Sequence, residues 1–458
     1  MGHMVLLGRR RGAVTAVACA SVALVALAGC SSGTQTGASS EQSGTTTADC
    51  ASYADYGHFD NATVTVMGSF VGNDADLNDE SWANFEKCTG IDVRYNGDSD
   101  FESQVVVQVE AGNAPDLVIF PQVGLMQRFA KSGDLVAAPE QTKKNAEAGW
   151  NADMVRYGTV NDTFYAAPFT TAVKSFVWYS PRLFAEHGYK QPKTWDEMVA
   201  LSDQMVADGM KPWCEGAESG GASGWPLTDW VEVLLLADAG GETYDKWVGH
   251  EIPFNDAAVS KATDLVGKIL KNNDYVNGGF GDSSSIVSTS KADAPLPITS
   301  GECGMHLAAG TAVSLFDDSA MVAPDGDVYA FPFPVVNDKV GNPVVVSGQF
   351  TAAFSDRPEV QAFQNYVSSV QWANDRAPFG GYISSNSGMD STLISSAIDK
   401  SGFDILNDPN SVLRFDGSDL MPSTVGTGSF WTEMLNWIQG ASTEETLEKI
   451  ETSWPASN

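Results

Sequence analysis

The sequence predicts an α/β protein, built from parallel strands joined by crossover helices. Three observations lead there. Strand-like runs alternate with helical patterns from Thr63 to Ser132. One of those runs, Asp116 to Phe120, reads as apolar and buried on both faces, the habit of a parallel strand. A second alternation opens at Ser175, so the chain holds more than one such unit.

Folded structure is expected to start near Ala62, and the elements then follow in order. Thr63 to Met67 reads as a strand that ends in the loop Gly68-Ser69-Phe70. Asn78 to Cys88 reads as a helix with Asn78 as its cap and Trp82 and Phe85 on one face. Ile91 to Tyr95 is a strand, Asp98 to Ala111 a helix, and Gly124 to Ser132 another helix after the buried strand. Beyond Ser175 to Tyr179, Thr194-Trp195-Asp196-Glu197 is a capping box that opens a helix through Ala207. Lys211 to Cys214 is a short strand; Trp230 to Ala237 and Ala257 to Lys271 are helical. The last third returns to a strand at Pro343 to Ser347 and a helix at Pro358 to Ala373. It closes with helices at Phe430 to Ile438 and Thr443 to Ser453.

The residues ahead of that unit read differently. Arg9, Arg10 and Arg11 precede an uncharged run from Gly12 to Leu27, and Leu27-Ala28-Gly29-Cys30 ends it with small residues. That layout is an export signal, too short to span a membrane as a helix. Its ending resembles the bacterial lipoprotein signal. The resemblance implies cleavage after residue 29 and acylation of Cys30 (diacylglycerol, palmitate), an anchor on the outer face of a Gram-positive cell membrane. Residues 30–59 are expected to be a linker. Its stretch 31–48, rich in Ser, Thr and Gly, acts as a tether reaching roughly 20–25 Å.

Composition bounds the function. Without leader and linker about 400 of the 458 residues remain, enough for two or three domains. The formal charge is −32, and the leader holds three arginines and no acid, so the remainder stands at −35. Such a surface repels nucleic acid and anionic lipid and favours neutral or cationic ligands. Six cysteines are present; Cys19 leaves with the leader and Cys30 is the acylation site. Cys50, Cys88, Cys214 and Cys303 remain, an even count in an exported chain, which suggests disulfides and allows three pairings.

Most catalytic signatures are missing. The sequence contains no GxxxxGK[ST] and no GxSxG, and His250-Glu251 does not continue to HExxH. Asn73 to Glu80 hints at a calcium loop. Asp79 stands where the glycine is required and Phe85 where the bidentate Glu is required, which excludes it. His58, His187, His250 and His306 are scattered, and no cysteine spacing is CxxC, so neither metal nor cofactor is expected. A surface glycosidase stays open only because 58 acids always offer carboxylate pairs.

What stands out instead is a set of aromatic and polar segments. Gly224-Trp225-Pro226-Leu227-Thr228-Asp229-Trp230 places indoles and a carboxylate before a helix. Ser347-Gly348-Gln349-Phe350 follows a strand, and Arg414 to Pro422 precedes Gly428-Ser429-Phe430-Trp431. Sugar rings stack their C–H faces on aromatics, and their hydroxyls need paired donors and acceptors.

The order of segments resembles the extracellular solute-binding proteins of the maltose-binding type (family 1), nearest their α-glucoside branch. Ala114-Pro115-Asp116-Leu117-Val118 carries the likeness. So do Tyr165 to Phe169 leading into Phe176 to Tyr179, and Met421-Pro422 followed by Phe430-Trp431. The resemblance implies a two-lobed type II periplasmic-binding-protein-like fold whose hinge is crossed three times. The crossings are expected near Pro168 to Ala172, Ser347 to Ala352 and Asn410 to Asp416. Lobe one is then 60–168 plus 351–412, and lobe two 172–346 plus 416–458. On that division Cys50–Cys88 and Cys214–Cys303 are the expected disulfides, since the first pair lies with lobe one and the second within lobe two.

The likeness also implies a ligand site. It comprises Ser69 and Phe70 after the first strand, Phe120 and Gln122 after the third, and Thr170 and Thr171 in the first hinge segment. Trp225, Asp229 and Gly310 belong to lobe two, Gly348, Gln349 and Phe350 to the second hinge segment, and Asp416, Asp419 and Trp431 to the end of the chain. Some family members carry acids where Ser69 and Gln122 stand here. The implied function is a non-enzymatic, monomeric sugar receptor of an ABC importer. It captures an oligosaccharide, such as maltose, trehalose or sucrose, and passes it to permease subunits. The alternatives are a peptide, polyamine or siderophore on the same fold, or the glycosidase.

Overall fold

The structure is a computed structural model that describes residues 50–455 except Asp318 and Tyr382. The expected signal peptide, the Cys30 acylation site and the 31–48 tether lie outside the described residues.

Ordered structure begins earlier than expected. Cys50–Tyr56 forms a turn of 3-10 helix, so the last part of the 30–59 linker is corrected to folded chain. The physical reason is anchorage at the start and in the middle of the turn. Cys50 is bonded to Cys88, and buried Tyr53 donates its hydroxyl to Asp375 Oδ2 at 2.7 Å.

Strands β1 (Ala62–Gly68), β2 (Ile91–Gly97) and β3 (Leu117–Phe120) pair in parallel as β2–β1–β3. Helices Asn73–Thr89 and Phe101–Glu110 connect them. After a small hairpin, β4 (Thr159–Val160) with β5 (Thr163–Phe164), come β6 (Ala166–Val173), β7 (Phe176–Tyr179) and β8 (Lys211–Trp213). Strands β9 (Cys303–Ala308), β10 (Tyr329–Pro332), β11 (Asn342–Ala353) and β12 (Ser411–Phe415) follow. The first sheet runs β12–β11–β3–β1–β2, with β6 also on β11; the second runs β10–β7–β9–β8. Each sheet carries its own helices, which gives two α/β lobes.

The expected parallel pairing holds only for part of the chain. Strand β11 runs antiparallel to β3 and β6, and β7 runs antiparallel to both of its neighbours. The reason is that β11 enters the first sheet on its return from the second, so its direction is not set by a local crossover.

Several helices are longer or shorter than the sequence suggests. The helix Asn73–Thr89 starts five residues before Asn78, which is buried inside it and donates Nδ2 to Asp74 O at 3.0 Å, so Asn78 is no cap. The helix around Trp230 spans Trp225–Val248 with a kink at Gly240, whose φ is 82°. The helix at Pro358 stops at Val367, and Ser369 starts a second one, Val370–Arg376, by accepting from Trp372 N at 3.3 Å. The capping box at Thr194 and Glu197 forms as expected.

Both expected disulfides are present, with Cα separations of 5.2 Å for Cys50–Cys88 and 5.7 Å for Cys214–Cys303. Apolar side chains fill the space between each sheet and its helices. Trp82, Phe85 and Tyr366 centre one cluster, and Trp213, Trp230 and Trp247 another. Among the described residues no helix is long and apolar enough to cross a membrane.

Candidate functional site

Strands β6, β11 and β12 lie side by side, and the three expected hinge segments fall on them. From Thr170 to Ser180 every residue is buried, and one of them, Lys174, is charged. A lysine there needs compensation. Its backbone N–H donates to Val345 O at 2.8 Å, which fixes it between β6 and β11. Its Nζ reaches Asp229 Oδ1 at 2.6 Å, on the helix Trp225–Val248, and Asp416 Oδ2 just after β12. One cation therefore joins two hinge strands to a second-lobe helix.

A shell of carboxylates completes the cluster. Asp416 Oδ1 accepts from Ser418 Oγ at 2.7 Å and from Asp419 N at 3.0 Å, capping the short helix Gly417–Leu420. Glu232 accepts from Gly417 N at 2.8 Å, Ser418 N at 3.0 Å and the Tyr244 hydroxyl at 3.1 Å. Burial favours the neutral Lys174 amine, but Asp229 and Asp416 outweigh it and hold the ammonium above the ordinary lysine range. Burial pushes Asp229 up to about 7 against the pull of Lys174. For Asp416, burial is overcome by Lys174 and by the Ser418 and Asp419 donors, so its carboxylate stays below its usual range. Asp419 and Glu232 are pushed well upward by burial and by the Asp416 charge.

Beside this cluster stands half-buried Trp225. The Nζ atoms of Lys174 and Lys291 lie 4.8 and 5.1 Å from its ring centroid, a cation–π arrangement on both. Lys291 has no ion pair among the described residues, and burial followed by Lys174 lowers its pKa. Asp74 faces both Lys291 and Arg376; burial raises its carboxyl while those two cations oppose the rise. Arg376 is 0 % exposed, and burial lowers it to about 10 against the charges of Asp74 and Asp399, which leaves it a cation at neutral pH.

A recess of about 280 Å³ is lined by Glu102, Gln122, Arg128, Gly221, Thr427 and Trp431. Gln122 Nε2 donates to Glu102 Oε1 at 2.8 Å, and Trp431 Nε1 to Ser418 Oγ at 3.4 Å. A separate cavity of about 20 Å³ is lined by Thr171, Phe176, Gly310, Ser385 and Asp399 among others.

The structure thus brings together many of the residues named from sequence. Trp225, Asp229, Asp416 and Asp419 surround Lys174; Gln122 and Trp431 share the larger recess; Thr171 and Gly310 share the smaller cavity. Half-buried Ser69 sits just beyond β1. Thr170 and Gln349 bond to each other across β6 and β11. A Cβ on Gly348 would lie 2.4 Å from Thr170 O, so glycine there allows the strands to approach. Three aromatics are corrected to core. The Phe120 ring packs against Phe101, Phe129 and Phe354, Phe350 packs against Phe415, and Phe70 is buried in the Trp82 cluster. Rings enclosed in this way offer no face to a ligand.

Sequence reasoning missed Lys174, Glu232, Asp74, Glu102, Lys291, Arg376, Ser385 and Asp399. Lys174 had a legible signal, a single cation inside the apolar stretch Thr170 to Tyr179. Glu232 carries a similar one, a single acid inside the apolar helical run Trp230 to Leu236; the others, polar or charged residues spread over separate helices and loops, look like solvated surface. Among the described residues no three His, Cys, Asp or Glu side chains are grouped to hold a metal ion.

Comparison with known proteins gives the geometry a lineage. An osmoprotective compounds-binding protein, GgtB of Synechocystis sp., is 37% identical over 87% of this chain and 94% of its own length. An alpha-glucosides-binding periplasmic protein, AglE of Rhizobium meliloti, is 36% identical over 86% of this chain and 87% of its own. The solved bacterial solute receptor AcbH, described as preferring β-D-galactopyranose, superposes with a TM-score of 0.72 at 16% identity. That match covers 86% of this chain and 97% of that one. The last establishes the two-lobed fold. Residues 70–374 match the model of the bacterial extracellular solute-binding proteins, and the chain belongs to that family.

Proposed function

We propose that this protein is the sugar receptor of an ABC importer and binds a neutral α-glucoside between its lobes. The observation that carries the reading is Trp225, an indole face at the hinge flanked by Lys174 and Lys291, with Asp229 and Asp419 beside it. An aromatic platform ringed by charged donors and acceptors suits a polyhydroxylated ring. The AglE relative supports an α-glucoside. On this reading lobe one is 60–168 plus 351–412 and lobe two is 172–346 plus 416–458, and closure over the sugar prepares it for permease subunits. Cys30 holds the receptor, as a monomer, at the outer face of the cell membrane, and no covalent chemistry takes place.

A second reading, an osmoprotective solute as cargo, is favoured by the GgtB relative. Calorimetry against maltose, trehalose, sucrose, amino acids, polyamines and glycine betaine separates the two. Binding of a sugar, weakened by about 1–3 kcal/mol in Trp225→Ala, supports the lead reading. Binding of betaine with no sugar response would replace it.

A further inference from the structure

The face of an indole attracts a cation, and aromatic faces are what recognise quaternary ammonium solutes. Trp225 is half-buried, and the cation place over its ring is filled from inside the chain. Lys174 Nζ lies 4.8 Å from the ring centroid and Lys291 Nζ 5.1 Å.

The two ammonium groups are held differently. Lys174 is buried and tied to Asp229 and Asp416, so its charge is matched within the fold. Lys291 is half-buried, and among the described residues its Nζ has neither an ion pair nor a hydrogen bond. Its backbone, by contrast, is fixed. Lys291 N donates to Glu218 O at 3.0 Å, and Glu218 N donates to Thr289 O at 3.0 Å. The next residue, Ser219, accepts from Trp225 Nε1 at 3.3 Å. The pair Glu218-Ser219 thus holds both the root of the lysine and the edge of the ring. The four-carbon stem of Lys291 is the part left free to turn.

We propose that Lys291 is a specificity-determining residue. Its ammonium occupies the cation place over Trp225 and keeps cationic solutes out, and its N–H groups pass to the oxygens of an uncharged, hydroxyl-rich ligand that arrives there. This deepens the sugar-receptor reading and rests on it. The formal charge of −32 draws cations toward the whole surface, so their rejection has to be local. A cation approaching Trp225 meets two ammonium groups, and the one at Lys291 has no neutralising partner among the described residues. A hydroxyl oxygen meets three N–H donors and no opposing charge. An anion would pair with Lys291 but would also meet the carboxylates of Asp229 and Asp416 beside Lys174.

Calorimetry on the full chain tests this with choline, a quaternary cation, and with the tightest sugar found in the panel. The wild type is expected to give no measurable heat with choline. Lys291→Ala, which clears the place over the ring, is expected to gain choline affinity by about tenfold or more and to bind the sugar about tenfold more weakly. Lys291→Arg keeps the charge and is expected to keep choline out. Circular dichroism and thermal melting check the fold of both variants, and the wild-type arm needs no variant. Choline binding by the wild type overturns the assignment, and so does a folded Lys291→Ala chain that still gives no heat with choline. A uronic acid that binds the wild type more tightly than the matching neutral sugar overturns it as well, because Lys291 would then serve an anion. Each of these results leaves sugar binding intact. Failure of the wild-type chain to bind any sugar overturns the reading beneath it instead.

Discussion

Lys174 Nζ lies 2.6 Å from Asp229 Oδ1, two side chains less than a tenth exposed, linking the end of β6 to the helix Trp225–Val248. The pair is a structural tie across the hinge, because Asp416 shares the same ammonium from the end of β12. Removing the cation leaves two buried carboxylates facing each other. Lys174→Met should therefore lower stability by about 3–5 kcal/mol in urea denaturation. Adding Asp229→Leu should restore a large part of it. A single variant as stable as the wild type would mean that solvent reaches the pair.

Gly221, ahead of the helix Trp225–Val248, stands against Asp100, ahead of the helix Phe101–Glu110. A Cβ on Gly221 would lie 2.8 Å from Asp100 Oδ1. A flexible carboxylate moves aside for one methyl, so Gly221→Ala should change little. Gly221→Glu adds a like charge at the point of contact and should weaken ligand affinity by about tenfold with an unchanged melting temperature. An equal loss in both variants would point to the loop's own conformation.

Burial holds the Asp399 carboxyl up at about 6, against 3.8 in the unfolded chain, with the Gly381 N–H and Ser396 opposing the rise. Between those two values the folded protein keeps a proton that the unfolded chain has released. Stability from this group is therefore complete at the acid end of the window and lost as the pH climbs through about 6. Asp399→Asn has no proton to lose. Relative to wild type it should gain about 2–3 kcal/mol between pH 4 and pH 7, measured from urea midpoints at both. Parallel pH profiles would show that the carboxyl titrates normally.

Cys214–Cys303 closes a separation of 89 residues and Cys50–Cys88 one of 38. Paired Cys→Ala substitution at either bridge should cost about 2–5 kcal/mol, with the larger loss at Cys214–Cys303 on loop entropy. Thermal melting of the two double variants, each against the oxidised wild type, ranks them. A greater loss at the shorter loop would assign the effect to packing instead.

Local pattern made one part of this fold legible. Strands β1 to β3 could be read from their alternation with helices, and the Thr194 start from its capping box, because both signals lie within a few residues of chain. Strand β12 was invisible, since Arg414 and its neighbours become a strand only by pairing with β11 from far away in sequence. The same limit shaped the reading of the site. Trp225 and Asp229 sit in a dense local motif that could be named from sequence, and the structure sets both against Lys174. Arg376 takes its meaning from Gly380, Asp399 and Asp74, which only tertiary structure gathers around it. Phe120 and Phe350 failed for the opposite reason: strand-end position suggested a ligand contact, but neighbouring aromatics enclose both rings.

The Cys50–Cys88 bridge also decides how the molecule bears a pull. Tension applied upstream of Cys50 is carried by the bridge into the end of the helix Asn73–Thr89, and by Tyr53 into Asp375. Between Cys50 and the start of β1 at Ala62 the chain is packed as well, with Tyr53 buried and Phe59 N donating to Thr89 O at 2.7 Å. The load thus enters one lobe through a covalent strut. Both points of entry lie on elements other than β6, β11 and β12, the strands that meet around Lys174.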